Sequence, residues 1–253
     1  MTDDFLVKRR SDSEVRQIAK RARAYLGFAK GGRVDIVACL RKETIWTVSG
    51  VKRLMVKVLP DIELGTADAL TSHTEELILI AFKQSVYRAA VLGEGRARNT
   101  VAHELGHAVI HNRSMMPRRA GGNDKYRWIR PYESAEHQAN VFAAALLIDD
   151  DGAKSLDSAE EVSIQFGVSL KCAEIYYKEI LERRDRGRAA EKMRKLASSF
   201  SAEVKHPHAH DLRFLASPCP KCGERKVFPV GSKYMCHHCD TVSDTFPDGD
   251  YSD

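Results

Sequence analysis

Thr100-Val-Ala-His-Glu-Leu-Gly-His-Ala-Val-Ile-His111 is the stretch on which the reading of the chain turns. Val101, Ala102, Leu105, Ala108 and Val109 recur at helical spacing, so Thr100 to His111 is expected to form one helix. His103 and His107, four residues apart, then share a face with Cβ atoms roughly 6 Å apart, close enough for both imidazoles to reach one Zn²⁺. Glu104 is rotated about 100° from His103, too far round to be the natural third ligand. It is placed instead to take a proton from a water on the metal, the role of a general base.

Two histidines do not complete a zinc site, so a third ligand is needed. The next expected helix, Glu133 to Leu147, offers Glu136 in Glu136-His-Gln-Ala-Asn140, with Ala139, Phe142, Ala143 and Leu146 on its apolar face. A His₂Glu set leaves one coordination position open, as a catalytic site requires. Asn140 lies one turn later and can hold a ligand histidine through its free ring nitrogen. Glu133, one turn earlier, is the rival third ligand and ranks second because Asn140 is paired by spacing with Glu136. His111 is read first as a helix-end residue near open carbonyls, with a group behind the metal ligands or a transition-state donor as the alternative. Tyr132 and His137 flank the third-ligand position, either as oxyanion donors or as surface residues.

His103-Glu-Leu-Gly-His107-Ala-Val-Ile-His111 and Glu136-His-Gln-Ala-Asn-Val-Phe-Ala-Ala-Ala-Leu-Leu147 together resemble the ImmA/IrrE family of zinc metallopeptidases. The resemblance covers roughly residues 10 to 180 and is sharp in the two motifs. It implies His103, His107 and Glu136 as zinc ligands and Glu104 as general base. It also implies cleavage of transcriptional repressors or related regulators. Many members have Met-Pro after Leu-Leu; here Ile148-Asp149 follows, a departure expected to alter a helix end and not the chemistry.

The surrounding chain is expected to be α+β: a small mixed sheet packed by helices that carry the HExxH zinc site, then a helical segment, then a small zinc ribbon. Ser11 to Gly27 reads as a helix opened by a Ser11/Glu14 capping box, with Val15, Ile18, Ala19, Ala22 and Leu26 as its stripe. From Val34 to about Ala90 the texture turns strand-like, with Val34–Val37, Thr44–Val48, Leu54–Val58 and Leu77–Phe82 as strands. Pro60, Gly65 and the polar stretch near Ser72 separate them. Residues 112–131 read as a loop, Asp149 to Gly152 as a boundary, 200–216 as a linker and 244–253 as a polar tail. The expected division is 10–150 for the metallopeptidase domain, 151–200 for a helix-turn-helix-like segment with a basic helix, and 217–242 for the ribbon. In the middle segment, Phe166-Gly-Val-Ser169 joins two helices.

Cys219-Pro-Lys-Cys222 and Cys236-His-His-Cys239 are spaced to place four thiolates round one structural Zn²⁺. So short a module has little apolar matter of its own, so the metal should supply most of its folding energy. His237 and His238 are read as exposed, His206, His208 and His210 as part of the linker, and Cys39 and Cys172 as core thiols. Two zincs are therefore expected, one catalytic and one structural.

The chain has 253 residues, 43% hydrophobic and 30% charged, which fits a folded globular protein and excludes wholesale disorder. The N-terminal stretch has no apolar signal core, and the longest apolar run, Val141 to Ile148, is far short of a membrane span. A cytoplasmic protein with no membrane partner is expected, which disfavours disulfides. Charge is concentrated: seven basic residues from Arg183 to Lys195 face only Asp185 and Glu191, so this segment carries the whole net charge of +5. Arg184, Arg188, Lys192 and Lys195 lie near one helix face and could meet nucleic-acid phosphates or only water. The rival to a peptidase is therefore a nucleic-acid-associated regulator that uses helix 183–195 and the ribbon, with a non-catalytic zinc helix.

Overall fold

The computed structural model describes residues 4–29, 31–111, 116–117, 130–199, 214–230 and 233–243. Most of the expected loop 112–131, most of the linker 200–216 with its histidines, and the tail 244–253 lie outside the described residues. In chain order the elements are β1 (Phe5–Leu6), α1 (Asp12–Leu26), α2 (Ile36–Leu40), β2 (Thr44–Thr47), β3 (Gly50–Leu59), β4 (Ala69–His73), β5 (Leu77–Lys83) and α3 (Gln84–Val91). Then follow α4 (Gly95–Ile110), β6 (Met116–Pro117), α5 (Ala135–Leu147), α6 (Asp150–Ala153), α7 (Ala159–Phe166), α8 (Leu170–Ser199), β7 (Val227–Val230), β8 (Lys233–Cys236) and β9 (Val242–Ser243). The chain divides into two compact units, Met1–Tyr177 and Lys178–Asp253.

The first unit is α+β. Its four-stranded sheet has the order β2-β3-β5-β4 and is mixed: β3 and β5 run parallel, while β2–β3 and β4–β5 are antiparallel. Along β5, Ile78, Ile80 and Phe82 are fully buried and alternate with partly exposed neighbours, the period-two signature of a strand with one covered face. Against the sheet lies α4, which packs on β4 and on α5, and α5 in turn packs on α1. Helix α1 opens with the reciprocal Ser11/Glu14 box and closes on Gly27 at φ 99°, a left-handed cap that glycine adopts without steric cost. Its stripe of Val15, Ile18, Ala19, Ala22 and Leu26 is buried.

Four expectations need correction. Val34–Val37 is not a strand; α2 occupies Ile36–Leu40, because the Asp35 carboxylate accepts the Ala38 N–H at 2.9 Å and caps a turn. The polar stretch near Ser72 is not a break but strand β4, whose inward residues Thr71 and His73 are polar, so hydrophobic alternation is missing. The strand-like texture stops at Lys83, where α3 begins, and α4 starts at Gly95 instead of Thr100. At Asp149 to Gly152 the Asp149 Oδ2 accepts the Gly152 N–H at 2.9 Å and caps α6.

Gly106 sets how closely α4 and α5 approach. A Cβ there would lie 3.1 Å from the Phe142 ring and 3.2 Å from the Ala139 backbone. Gly106→Val is expected to destabilise the first unit by about 1–3 kcal/mol through overpacking. A lowered Tm in calorimetry checks this; an unchanged Tm would show that the helices have room to part.

In the second unit, β7, β8 and β9 form a three-stranded antiparallel sheet. Phe228, Val230 and Met235 pack with Ala189 and Met193 of α8 in one small cluster. Among the described residues no helix is long and apolar enough to cross a membrane.

Candidate functional site

The close approach at Gly106 brings the inner face of α4 against the start of α5. His103 Nε2 and His107 Nε2 lie 3.0 Å apart. Glu136 Oε2 is 3.3 Å from His103 Nε2, and Glu136 Oε1 is 3.3 Å from His107 Nε2. The two histidines beside it hold the Glu136 carboxyl well below the usual carboxylate range. Glu133 lies outside this group: it sits in a 3-10 turn at Pro131–Glu133, and α5 begins only after the Ser134 cap.

These separations test whether zinc fits. Donor atoms about 2.1 Å from a tetrahedral Zn²⁺ stand about 3.4 Å from one another. The observed separations are close to that, with one Glu136 oxygen facing each imidazole, and two nitrogens with a carboxylate are a donor set zinc accepts.

The atoms behind the triad fix its orientation. His103 Nδ1 lies 3.0 Å from Asn140 Oδ1, so the amide oxygen accepts the ring N–H and leaves Nε2 free to face Glu136. His107 Nδ1 lies 3.0 Å from His111 Nδ1. Burial, and then the neighbouring His107, push His111 down to about 3, so it is neutral; with His107 Nε2 turned to Glu136, the His107 Nδ1–H donates to the His111 Nδ1 lone pair. His111 thus meets the ring of His107 rather than open carbonyls, as the sequence alone had it. Asn140→Ala is expected to weaken zinc binding about 10- to 100-fold. Competition with a chromogenic chelator measures it, and an unchanged affinity would contradict the orienting role.

Glu104 is 8% exposed and its Oε2 accepts a 2.6 Å hydrogen bond from the Thr71 hydroxyl. Thr71 was missed in the sequence, because β4 has no hydrophobic alternation to reveal it. The same face of β4 carries His73, which burial, then Lys52 and His107, push down to about 4. Asp4 was also missed: its Oδ2 accepts the Ser134 hydroxyl at 2.7 Å and its Oδ1 the Glu136 N–H at 3.2 Å, bracing the first turn of α5. An isolated Asp near the N-terminus has no pattern that would betray this. The two flanking candidates are engaged elsewhere. His137 Nε2 is 2.9 Å from Asp12 Oδ1 on α1, while the Tyr132 hydroxyl accepts from Arg130 at 2.6 Å and its ring lies under Arg9.

Residues 62–175 match the model of the peptidase M78 family, described as an IrrE N-terminal-like domain. This segment is an M78 domain. No curated protein matches the chain. The matched span runs from just before β4 into the start of α8 and takes in His103, Glu104, His107, Glu136 and Asn140. Membership supports a metallopeptidase-type function for the M78 domain and implies zinc as its metal. The four-cysteine module lies beyond the matched residues.

In that module Cys219, Cys222, Cys236 and Cys239 bring their sulfurs together. Sγ of Cys219 and Cys239 are 3.7 Å apart, and Sγ of Cys222 and Cys236 are 3.6 Å apart. Four thiolates about 2.3 Å from one Zn²⁺ would stand about 3.8 Å apart, whereas a disulfide bond is about 2.05 Å long. None of the six cysteines is in a disulfide bond. The hydroxyl of Thr241, 3.2 Å away, holds the Cys239 thiol down to about 6, whereas burial pushes the neighbouring Cys236 thiol up. Cys39 is fully buried, and burial pushes its thiol up to about 12; Cys172 is only partly buried.

His238 is exposed, but His237 is not: its side chain is 9% exposed and stacks on Phe214, with Asp185 on its other flank. The basic face of α8 is partly spent within its own unit. Lys192 pairs with Asp240 and donates to the His237 carbonyl, and Lys195 pairs with Glu191.

Proposed function

We propose that the chain is a zinc-dependent endopeptidase acting on a protein substrate, a transcriptional repressor or related regulator. The single observation that carries the catalytic part is the convergence of His103 Nε2, His107 Nε2 and the Glu136 carboxylate beside the buried carboxylate of Glu104. The resemblance of the two motifs to ImmA/IrrE proteins supports the substrate class. On this reading residues 10–150 carry the chemistry, 151–200 form the helix-turn-helix-like segment, and 217–242 form a zinc ribbon with a second, structural zinc.

His103, His107 and Glu136 would hold the catalytic zinc. When bound, zinc polarises the scissile carbonyl and makes water more acidic. The rest falls to side chains. Glu104 is buried, and the Thr71 hydroxyl fixes which carboxylate oxygen is free. Glu104 takes one proton from the attacking water as the C–O bond forms. It returns that proton to the amide nitrogen as the C–N bond breaks, leaving a carboxylic acid and an amine. Asn140 and His111 keep both ligand imidazoles in the tautomer that turns Nε2 inward.

The competing nucleic-acid reading needs a free basic face, and two of its four cations are held in internal ion pairs. The test of the proposal is capture with the inactive protein. A Glu104→Gln chain is expected to retain a partner that the wild type cuts into two fragments. If every captured protein survives incubation with zinc-loaded wild type, the endopeptidase reading fails.

A further inference from the structure

We propose that a cleft between α2, α3 and the N-terminal end of α4 binds a small phosphate monoester. The site is separate from the metal centre and does not depend on the peptidase reading. The cleft has a volume of about 420 Å³, within the range of small-molecule sites. Its lining holds three arginines, Arg33, Arg41 and Arg98, against a single acid, Asp35.

Arg98 is the strongest pointer to a ligand. It is 4% exposed, a cation held almost wholly out of water. Its Nε donates to the Gly167 carbonyl at 2.8 Å and its Nη2 to the carbonyls of Val34 at 2.9 Å and Phe166 at 3.3 Å. Its Nη1 has no hydrogen bond among the described residues, and the side chain lines the cleft. No carboxylate pairs with it among the described residues. Burial lowers its basicity, Arg33 lowers it further, and Asp35 partly offsets both.

Arg33 is held in place by missing side chains. A Cβ on Gly167, which sits at φ +63°, would stand 2.6 Å from the Arg33 guanidinium carbon, and one on Gly93 would stand 3.0 Å from its Nη2. Neither the Arg33 nor the Arg41 side chain has an ion pair or hydrogen bond among the described residues. The Asp35 carboxylate, in contrast, is engaged in capping α2.

The charge count selects the ligand. Three cations and one carboxylate leave a net charge of +2. A phosphate monoester carries about −1.5 to −2 near neutral pH and offers three oxygens to planar guanidinium forks. A single carboxylate would leave a positive charge unmatched. Val37, Ala38, Ala90 and Val91 give the cleft an apolar wall for the organic part of such an ester.

Isothermal titration calorimetry on the full zinc-loaded chain tests this, with adenosine monophosphate, inorganic phosphate and malonate as probes at constant ionic strength. Adenosine monophosphate is expected to bind one-to-one, with inorganic phosphate about tenfold weaker for lack of the apolar contact. The double variant Arg33→Gln, Arg41→Gln should weaken the monophosphate about 100-fold, roughly tenfold for each lost charge-assisted contact. Both side chains are exposed, so Tm should not move, whereas Arg98→Gln would also loosen the fold. Absence of saturable binding, an unaffected double variant, or malonate or inorganic phosphate binding as tightly as the monophosphate would each overturn the proposal.

Discussion

Replacing Glu104 by Gln is expected to lower kcat/KM for a cleaved substrate by about 10²- to 10⁴-fold, the usual worth of a positioned general base. The side chains are nearly isosteric, and Glu104 is outside the ligand group, so zinc content should not change. The amide can still accept from Thr71, which keeps the local packing. What is lost is the ability to take a proton from water and hand it to the leaving nitrogen. Steady-state kinetics and metal analysis on one preparation separate the two effects. A variant with full zinc and undiminished turnover would remove Glu104 from the mechanism.

The second large effect belongs to the cysteine module. Cys219→Ser combined with Cys222→Ser is expected to unfold β7, β8 and β9. The apolar clusters available to this unit are small, with Val227 beside the cysteines and Phe228, Val230 and Met235 near α8. Structural zinc at such sites contributes about 10–16 kcal/mol of apparent binding energy, far more than those clusters supply. Amide resonances of residues 214–243 should collapse to random-coil positions in the double variant, while those of the first unit keep their dispersion. Retained dispersion in the cysteine module would mean that its core folds without metal.

Helices α1, α4 and α5 were legible in the sequence because each has a wide apolar stripe and, for α1, an explicit cap. The pairings of His103 with His107 and of Glu136 with Asn140 could be read for the same reason: helical periodicity places i and i+4 together. Strand β5 could be read from its β-branched alternation. What escaped was governed by tertiary context. The four-residue run Val34–Val37 looks like a strand until the Asp35 cap is seen, since short apolar runs do not distinguish the two structures. Strand β4 looked like a break because the residues it turns inward are Thr71 and His73, which face α4 and its site instead of a hydrophobic core. The bracing of α5 by Asp4 joins residues 130 positions apart in the chain, and no local pattern encodes it.

Zinc content per chain tests the central claim, a His₂Glu zinc centre independent of a four-cysteine one. It is measured by mass spectrometry after extensive dialysis, for the wild type, a His103→Ala/His107→Ala variant and the Cys219→Ser/Cys222→Ser variant. Two equivalents in the wild type and one in each variant are expected. A wild type with one equivalent, or a histidine variant that keeps both, would contradict it.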